Sequence, residues 1–401
     1  MAVKAVDYLV IGGGIIGVNM ALHLKRRHPG ASICVVDKEP ELGLHGSGRN
    51  SGVLHAGFYY TANSLKARFT RDGNALLKDY IREHELPLNE CGKLVVAKDE
   101  SEIPTLDELH KRGLANGVEL IKITEKEARE IEPRVKTCQY ALWSPNTATG
   151  DPKPVMAQFR KDATEMGIEF QCSEPFVKCD GNRVWTRTLE FDAGYVVNAA
   201  GLYADRVGHA FGFGKEYAIL PFKGLYLKSN EPVGSFKTNI YPVPNLNNPF
   251  LGVHVTVTAD GHHKIGPTAI PAFWREQYKG ADNFKFGELC ETTSLGTQLM
   301  MKADFDFRRL AREELKKYNR AHLVELSQSL ATGLERSTLQ KWGPSGIRAQ
   351  LLNLKKKSLE MDFLFEGDEK SFHVLNAVSP GWTCSIPFTE YMVDEMEKMQ
   401  G

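Results

Sequence analysis

The chain has 401 residues, 42% of them hydrophobic, which is enough for two domains with cores of their own. Lys+Arg and Asp+Glu are equal at 50 each, so there is no net field to recruit nucleic acid or another polyanion. The seven cysteines form no CxxC pair and no CxxC…H spacing, which excludes a zinc site or a disulfide frame and predicts reduced thiols in a cytosol-like compartment.

No run approaches the roughly 18 apolar residues of a membrane span. The chain enters its first apolar run within a few residues, which predicts neither a secretory signal nor a transit peptide. Residues 8–11 (Tyr-Leu-Val-Ile) read as a buried strand. The run breaks at Gly12-Gly13-Gly14 and resumes as an amphipathic pattern through Ile15, Ile16, Val18, Met20, Leu22 and Leu24, which Pro29-Gly30 stops. A second apolar run, Ile33 to Val36, finishes on Asp37. This β-α-β unit carries the GxGxxG dinucleotide fingerprint, with an acid about twenty residues on. Gly12 permits the tight turn, Gly14 the approach of backbone to a pyrophosphate, and Gly17 close packing of the helix on the sheet. N–H groups left over by the first helical turn, at Ile15 and Ile16, hold phosphate. Asp37, with Lys38 beside it, serves the ribose hydroxyls.

Residues 43–60 are too glycine-rich for a plain helix and too ordered in type for a linker. Small residues let backbone lie against a large flat ligand. Ser47, Arg49, Asn50 and Ser51 offer donors to phosphate and ribitol oxygens, with Gly52 and Val53 in the same stretch, and His55 brings a ring that titrates near neutrality. Residues 64–83 follow a helical period capped by Asn63 or Ser64. A strand over 93–97 and helices around 100–116 and 124–131 follow. A helix capped by Asp151 ends at Gly167. Residues 168–172 are a strand, and 175–180 with 183–188 form a hairpin around Gly181-Asn182. Residues 195–201 read as a buried parallel strand ending in Ala199, Ala200 and Gly201.

Beyond residue 216 the strands lengthen and prolines cluster. Residues 251–258 alternate, placing His254 and Thr256 on one polar face, and Asp260-Gly261 turns the chain into a hairpin. From the residues alone, His254 is equally a surface imidazole on a half-solvated sheet or a group on the floor of a wet cavity. Residues 304–333 read as one basic amphipathic helix, either a solvated cover or a membrane-surface element. In 342–352, Arg348 sits in an otherwise apolar strand. A buried guanidinium needs a partner, since leaving it unpaired costs several kcal/mol, and the partner is either a substrate carboxylate or a structural glutamate. A last strand over 372–378 runs through Gly381, Trp382 and Thr383 into a terminal helix.

Several of these stretches resemble a known family. The fingerprint followed by Ser47-Gly48-Arg49-Asn50-Ser51-Gly52-Val53-Leu54-His55-Ala56-Gly57-Phe58-Tyr59-Tyr60 resembles the FAD-dependent D-amino-acid oxidase superfamily. Within it the chain is similar to the L-2-hydroxyglutarate dehydrogenase/oxidase branch, which has His in place of Arg49 and Ile in place of Leu54 and Phe58. Residues 91–97, 239–244, 250–254 and 343–350 (Gly-Pro-Ser-Gly-Ile-Arg-Ala-Gln) resemble the same branch, so the likeness runs nearly end to end. It implies FAD as cofactor and no metal. It also implies backbone contacts from Val177 to the adenine ring, Ala200 and Gly201 along the isoalloxazine edge, and Gly346, Gly381, Trp382 and Thr383 around the flavin. By side chain alone Val177 is a core valine, and Gly201 a plain turn. The helix start after Thr383 would stabilise the anionic reduced flavin.

The expected fold is α/β: a Rossmann-like FAD-binding domain from residues 1–83, 149–215 and 336–401, with an interleaved, mainly antiparallel-sheet substrate-binding domain from 84–148 and 216–335. The implied reaction oxidises a 2-hydroxy dicarboxylate, foremost L-2-hydroxyglutarate to 2-oxoglutarate, by hydride transfer to flavin N5. His254 is the expected base. His55 lies nearer the flavin, which it orients or, in some relatives, attaches to. Arg348 holds one carboxylate, and Tyr59, Tyr60, Tyr241 and Lys223 are candidates for the other. The alternative is an amine or amino-acid oxidase of the glycine or sarcosine type. Oxygen or a quinone is the expected electron acceptor, and the expected location is cytoplasmic, with at most peripheral association at the inner membrane.

Overall fold

The apolar run that opens the chain forms strand Val3–Ile11, and the amphipathic stretch behind its glycines forms helix Ile15–Arg27. The structure is a computed structural model that describes residues 3–62, 64–246, 250–302 and 307–401. Its contacts divide the chain into two units. Met1–Arg49, Pro152–Pro221 and Arg348–Gly401 make the first, and Asn50–Asp151 and Phe222–Ile347 the second.

In the first unit, parallel strands run in the order Glu169–Gln171, Ile33–Val36, Val3–Ile11, Glu190–Asn198, Ser371–Asn376. Leu9, Val10, Cys34, Val35, Val196 and Val197 are wholly buried, as expected of a parallel sheet covered on both faces. The register sets Ile11 level with Val36 and Asn198, so three carboxyl ends finish together. Helix Ser385–Gln400 lies along helix Ile15–Arg27, tied by Arg27 to Glu397 at 2.7 Å and to Asp394. The expected hairpin, Phe176–Asp180 with Arg183–Thr186, pairs antiparallel at the edge of the sheet.

The second unit is built on a largely antiparallel sheet. Its strands run in the order Lys341–Trp342, Leu227–Lys228, His263–Gly266, His254–Val257, Asn239–Pro242, Lys93–Val96, Tyr140–Ser144, Ile121–Thr124. Asn239–Pro242 and Lys93–Val96 are parallel to each other. Leu94, Val96, Ile240, Val255 and Ile265 pack in one cluster against helix Arg320–Gln328 residues Leu323 and Val324.

Several expectations are corrected. Residues 50–83 belong to the second unit, because Val53–Leu54 pairs with Ala148–Gly150, which also pairs with Leu88–Asn89. Residues 336–347 belong there too, through the pairing of Lys341–Trp342 with Leu227–Lys228. Residues 149–151 also fall in the second unit, and 216–221 in the first. The single helix expected over 304–333 is two, Phe307–Lys316 and Arg320–Gln328, the second capped by the Asn319 side chain. A further helix, Phe286–Lys302, was not foreseen. Ser64 caps helix Leu65–Glu83 by accepting from Ala67 N at 3.1 Å, while Asn63 lies outside the described residues. The alternating stretch shortens to His254–Val257, and its polar face is buried, not half-solvated. All seven cysteines are thiols, and no helix among the described residues is long and apolar enough to cross a membrane.

Burial also sets an acid limit on the fold. His23, His263 and His373 are held down to about 4 from an ordinary 6.5, burial being the largest cause in each. The unfolded chain therefore binds protons at these sites before the folded chain does. Their contribution is complete above about pH 6.5 and is lost as pH falls towards 4, at up to about 1.4 kcal/mol per pH unit for each. Tm measured from pH 7 to pH 4 is expected to fall steeply below 6.5, and a flat profile would contradict the neutral burial of these rings.

Candidate active site

In the first unit the fingerprint closes tightly. Gly12 has φ +114°, and a Cβ there would lie 2.4 Å from Ala199 O. A Cβ on Gly17 would lie 1.9 Å from Gly12 O, so the first turn of the helix presses on the strand exit. Gly14 is different. A Cβ there would meet only Ser47 Oγ, at 3.1 Å, so protein packing alone does not demand glycine, as expected where a ligand takes the space. The N-cap residue of this helix, Gly14, makes no side-chain cap hydrogen bond. Ile15 N donates to Ser47 Oγ at 2.8 Å, while Ile16 is half-buried. Asp37 accepts from Gly13 N at 2.7 Å through Oδ2 and from Glu39 N at 2.8 Å through Oδ1. Each oxygen keeps a lone pair for a ribose hydroxyl. Lys38 pairs with Glu39 and lies 2.9 Å from His45 Nε2, and Arg49 Nε donates to Leu44 O at 2.8 Å.

The register of the edge hairpin slips between Phe176 and Lys178, which bulges Val177 out of the ladder and leaves it 59% exposed. It is not the core valine its side chain suggests. A bulge leaves backbone groups outside the ladder for another partner. Ala200 N donates to Asn198 Oδ1 at 3.1 Å, and Gly201 follows with φ +55° and no atom within 4 Å of a Cβ position. In the turn before the last helix a Cβ on Gly381 would lie 2.1 Å from Ala377 O. Buried Trp382 Nε1 and Ser385 Oγ have no hydrogen-bond partner among the described residues, and Thr383 between them is buried. Arg348 lies on strand Gly346–Asn353, half-buried and already engaged within the protein, so the argument from an unpaired buried charge does not apply to it.

Asn50, Ser51, Gly52, Val53 and His55 fall in the second unit. Asn50 Oδ1 accepts from Gly52 N at 2.8 Å, and Ser51 O accepts from Lys264 Nζ at 3.3 Å. His55 meets the Tyr241 ring edge-on at 6.3 Å, and His254 stacks on the same ring at 3.7 Å and 15°. His254 Nδ1 lies 2.9 Å from Gly252 O. A carbonyl only accepts, so Nδ1 carries the proton and Nε2 presents a lone pair, with no other partner among the described residues. Burial first, then the charges of Lys93, Lys264 and Lys317, pushes His254 down to about 3, so the ring is neutral at pH 7. Tyr60 uses its carbonyl to accept from Asn116 Nδ2 at 3.0 Å, and buried Lys223 is held below its ordinary value by desolvation.

One group of this cluster escapes a reading of the sequence. Lys93 is wholly buried, its ammonium 4.5 to 4.9 Å from the ring centres of Phe58, Tyr59 and Tyr241. Desolvation pulls it down to about 7. Tyr59, a candidate from the sequence, is buried with its hydroxyl unpartnered among the described residues. The available signal was a lysine at the head of an otherwise apolar strand, Lys93–Val96, on the side of Val95.

Residues 7–394 match the family described as FAD dependent oxidoreductase. The chain belongs to this family. It is 35% identical to the L-2-hydroxyglutarate dehydrogenase, mitochondrial, of Nematostella vectensis, over 97% of this chain and 90% of that protein. The Homo sapiens protein of that name is 35% identical over 98% and 89%. The L-2-hydroxyglutarate dehydrogenase of Escherichia coli K12 is 33% identical over 98% and 93%. Among solved structures, the dithionite-reduced L-alpha-glycerophosphate oxidase of Mycoplasma pneumoniae with FAD bound superposes with TM-score 0.76 at 20% identity, covering 98% and 95%. Glycine oxidase from Geobacillus kaustophilus gives 0.75 at 19%, covering 99% and 96%. The fold is theirs. The features of the first unit fit FAD: the space over Gly14, the open side of Gly201, the bulge at Val177, and the unanswered Trp382 Nε1 and Ser385 Oγ.

Proposed function

We propose that this protein oxidises L-2-hydroxyglutarate to 2-oxoglutarate. The observation that carries the reading is 33–35% identity, over nearly the whole chain, to proteins named for that reaction in animals and a bacterium. On this reading the first unit is the FAD-binding domain and the second the substrate-binding domain. FAD, when bound, supplies the acceptor for the hydride of the substrate's C2. The first-turn amides of helix Ile15–Arg27 beyond Ile15, whose N–H is taken by Ser47, would hold its pyrophosphate, Asp37 its ribose, and the turn at Gly381-Trp382-Thr383 its ring system. Arg348 holds one substrate carboxylate, as a guanidinium does with two parallel hydrogen bonds. His254 Nε2 takes the hydroxyl proton, its ring fixed by Gly252 O and by stacking on Tyr241. His55 is the positioning histidine on the other contact of that tyrosine.

Electrons leave to oxygen or a quinone. A cytosolic location is supported by seven thiols and no disulfide. Helix Phe307–Lys316, basic and with Leu315 48% exposed, supports at most peripheral membrane contact.

The test is anaerobic mixing of the purified flavoprotein with hydroxy and amino acids. L-2-hydroxyglutarate is expected to bleach the flavin and yield 2-oxoglutarate without ammonia. Bleaching by glycine or sarcosine with no response to hydroxy acids would replace this reading with the amine-oxidase alternative.

A further inference from the structure

Lys93 is a buried cation that the reaction as described leaves without a task. The two-residue period of Lys93–Val96 puts Lys93 and Val95 on one face and Leu94 and Val96 on the other, where they join the apolar cluster. Val95 pairs with Tyr241, so the face of Lys93 is the face of the Tyr241–His254 stack. Phe58, Tyr59 and Tyr241 surround the ammonium at 4.5, 4.6 and 4.9 Å. Their π faces attract its charge, yet an ammonium carries three N–H donors that rings leave unanswered. Lys93 Nζ has no hydrogen-bond partner among the described residues, and no carboxylate pairs with it there. The Tyr59 hydroxyl, whose ring is part of this cage, is buried and equally unanswered.

Two neighbouring buried donors with no acceptor call for one anion with two oxygens. Building on the function proposed above, we infer that Lys93, with Tyr59, binds the substrate carboxylate remote from the reacting carbon and so selects dicarboxylates over monocarboxylates. The Tyr241 ring stacks on His254 at 3.7 Å and lies 4.9 Å from Lys93 Nζ, so base and cation contact one ring. Lys223, Tyr60 and Tyr241, the other candidates from the sequence, are superseded in this role.

The test compares holoenzyme with Lys93→Met, which keeps the length and removes the charge. kcat/KM is measured for L-2-hydroxyglutarate and for L-2-hydroxyvalerate, which lacks the distal carboxylate. The dicarboxylate-to-monocarboxylate ratio is expected to fall about 10²-fold in the variant, the size seen when one member of a buried charged pair is lost. An unchanged ratio overturns the inference. A second readout needs no turnover. Glutarate is expected to raise the Tm of wild-type protein and not of Lys93→Met, whose ligand-free Tm is expected to be higher than wild type. A lower ligand-free Tm with the glutarate effect intact would make Lys93 a packing residue and overturn the inference. Lys93→Gln supplies the same comparison if the methionine variant does not accumulate. If wild-type flavin is not reduced by L-2-hydroxyglutarate at all, the proposed function fails; if it is reduced and the ratio stays put, only the role of Lys93 fails.

Discussion

His254→Ala is expected to lower kcat by about 10²–10⁴-fold while the protein stays yellow, the range for removal of a general base. The imidazole is held in one tautomer by Gly252 O, so Nε2 is ready to accept without rearrangement. A value of about 3 makes it a weak base in the resting protein. The cause of that value, burial beside lysines, is also what an incoming dianion offsets, raising proton affinity when substrate arrives. The pH profile of kcat/KM reports the resting enzyme. It should therefore show no acid limb from this residue near 6.5, only one well below. A limb near 6.5, or near-normal kcat in the alanine variant, would move the proton transfer to His55.

Arg348→Ala should raise KM by about 30-fold to 10³-fold, the cost of deleting one side of a buried charged contact, with flavin content unchanged. Loss of flavin with normal KM would refute the carboxylate role. The guanidinium is only half-buried, so its removal need not unfold the strand. This separates Arg348 from Lys93, whose ammonium is wholly buried and for which the apolar replacement is expected to stabilise the empty protein.

The dinucleotide half was legible because its signals are local: strand, glycines, helix and acid lie within thirty residues. The level carboxyl ends of Val3–Ile11 and Ile33–Val36 follow directly. The substrate half was harder. His254 and Thr256 were found by alternation, but alternation does not say whether a polar face meets water or a second layer, and here it is buried. Lys93 went unread because a single charge beside three apolar residues looks like a strand end. Only the pairing of residues 93–96 with 239–242, some 146 positions apart, brings Tyr241 against it. Val177 misled for a related reason, since a bulge is a property of the paired strand and not of the valine. The unit boundary at Arg49 was misplaced because short pairings of two or three residues, such as Val53–Leu54 with Ala148–Gly150, leave almost no compositional trace.

Strand Glu190–Asn198 receives one of its parallel neighbours from Ser371–Asn376, and helix Ile15–Arg27 is covered by Ser385–Gln400. During synthesis, elongating at about 5–20 residues per second, the first strand and helix emerge well before either cover exists. For on the order of ten seconds or more the ribosome thus presents an apolar helix face and an unpaired sheet edge, a window in which chaperone capture competes with self-association. Expression of this protein should accordingly respond to slower translation or added chaperone more than to changes at its mature surface.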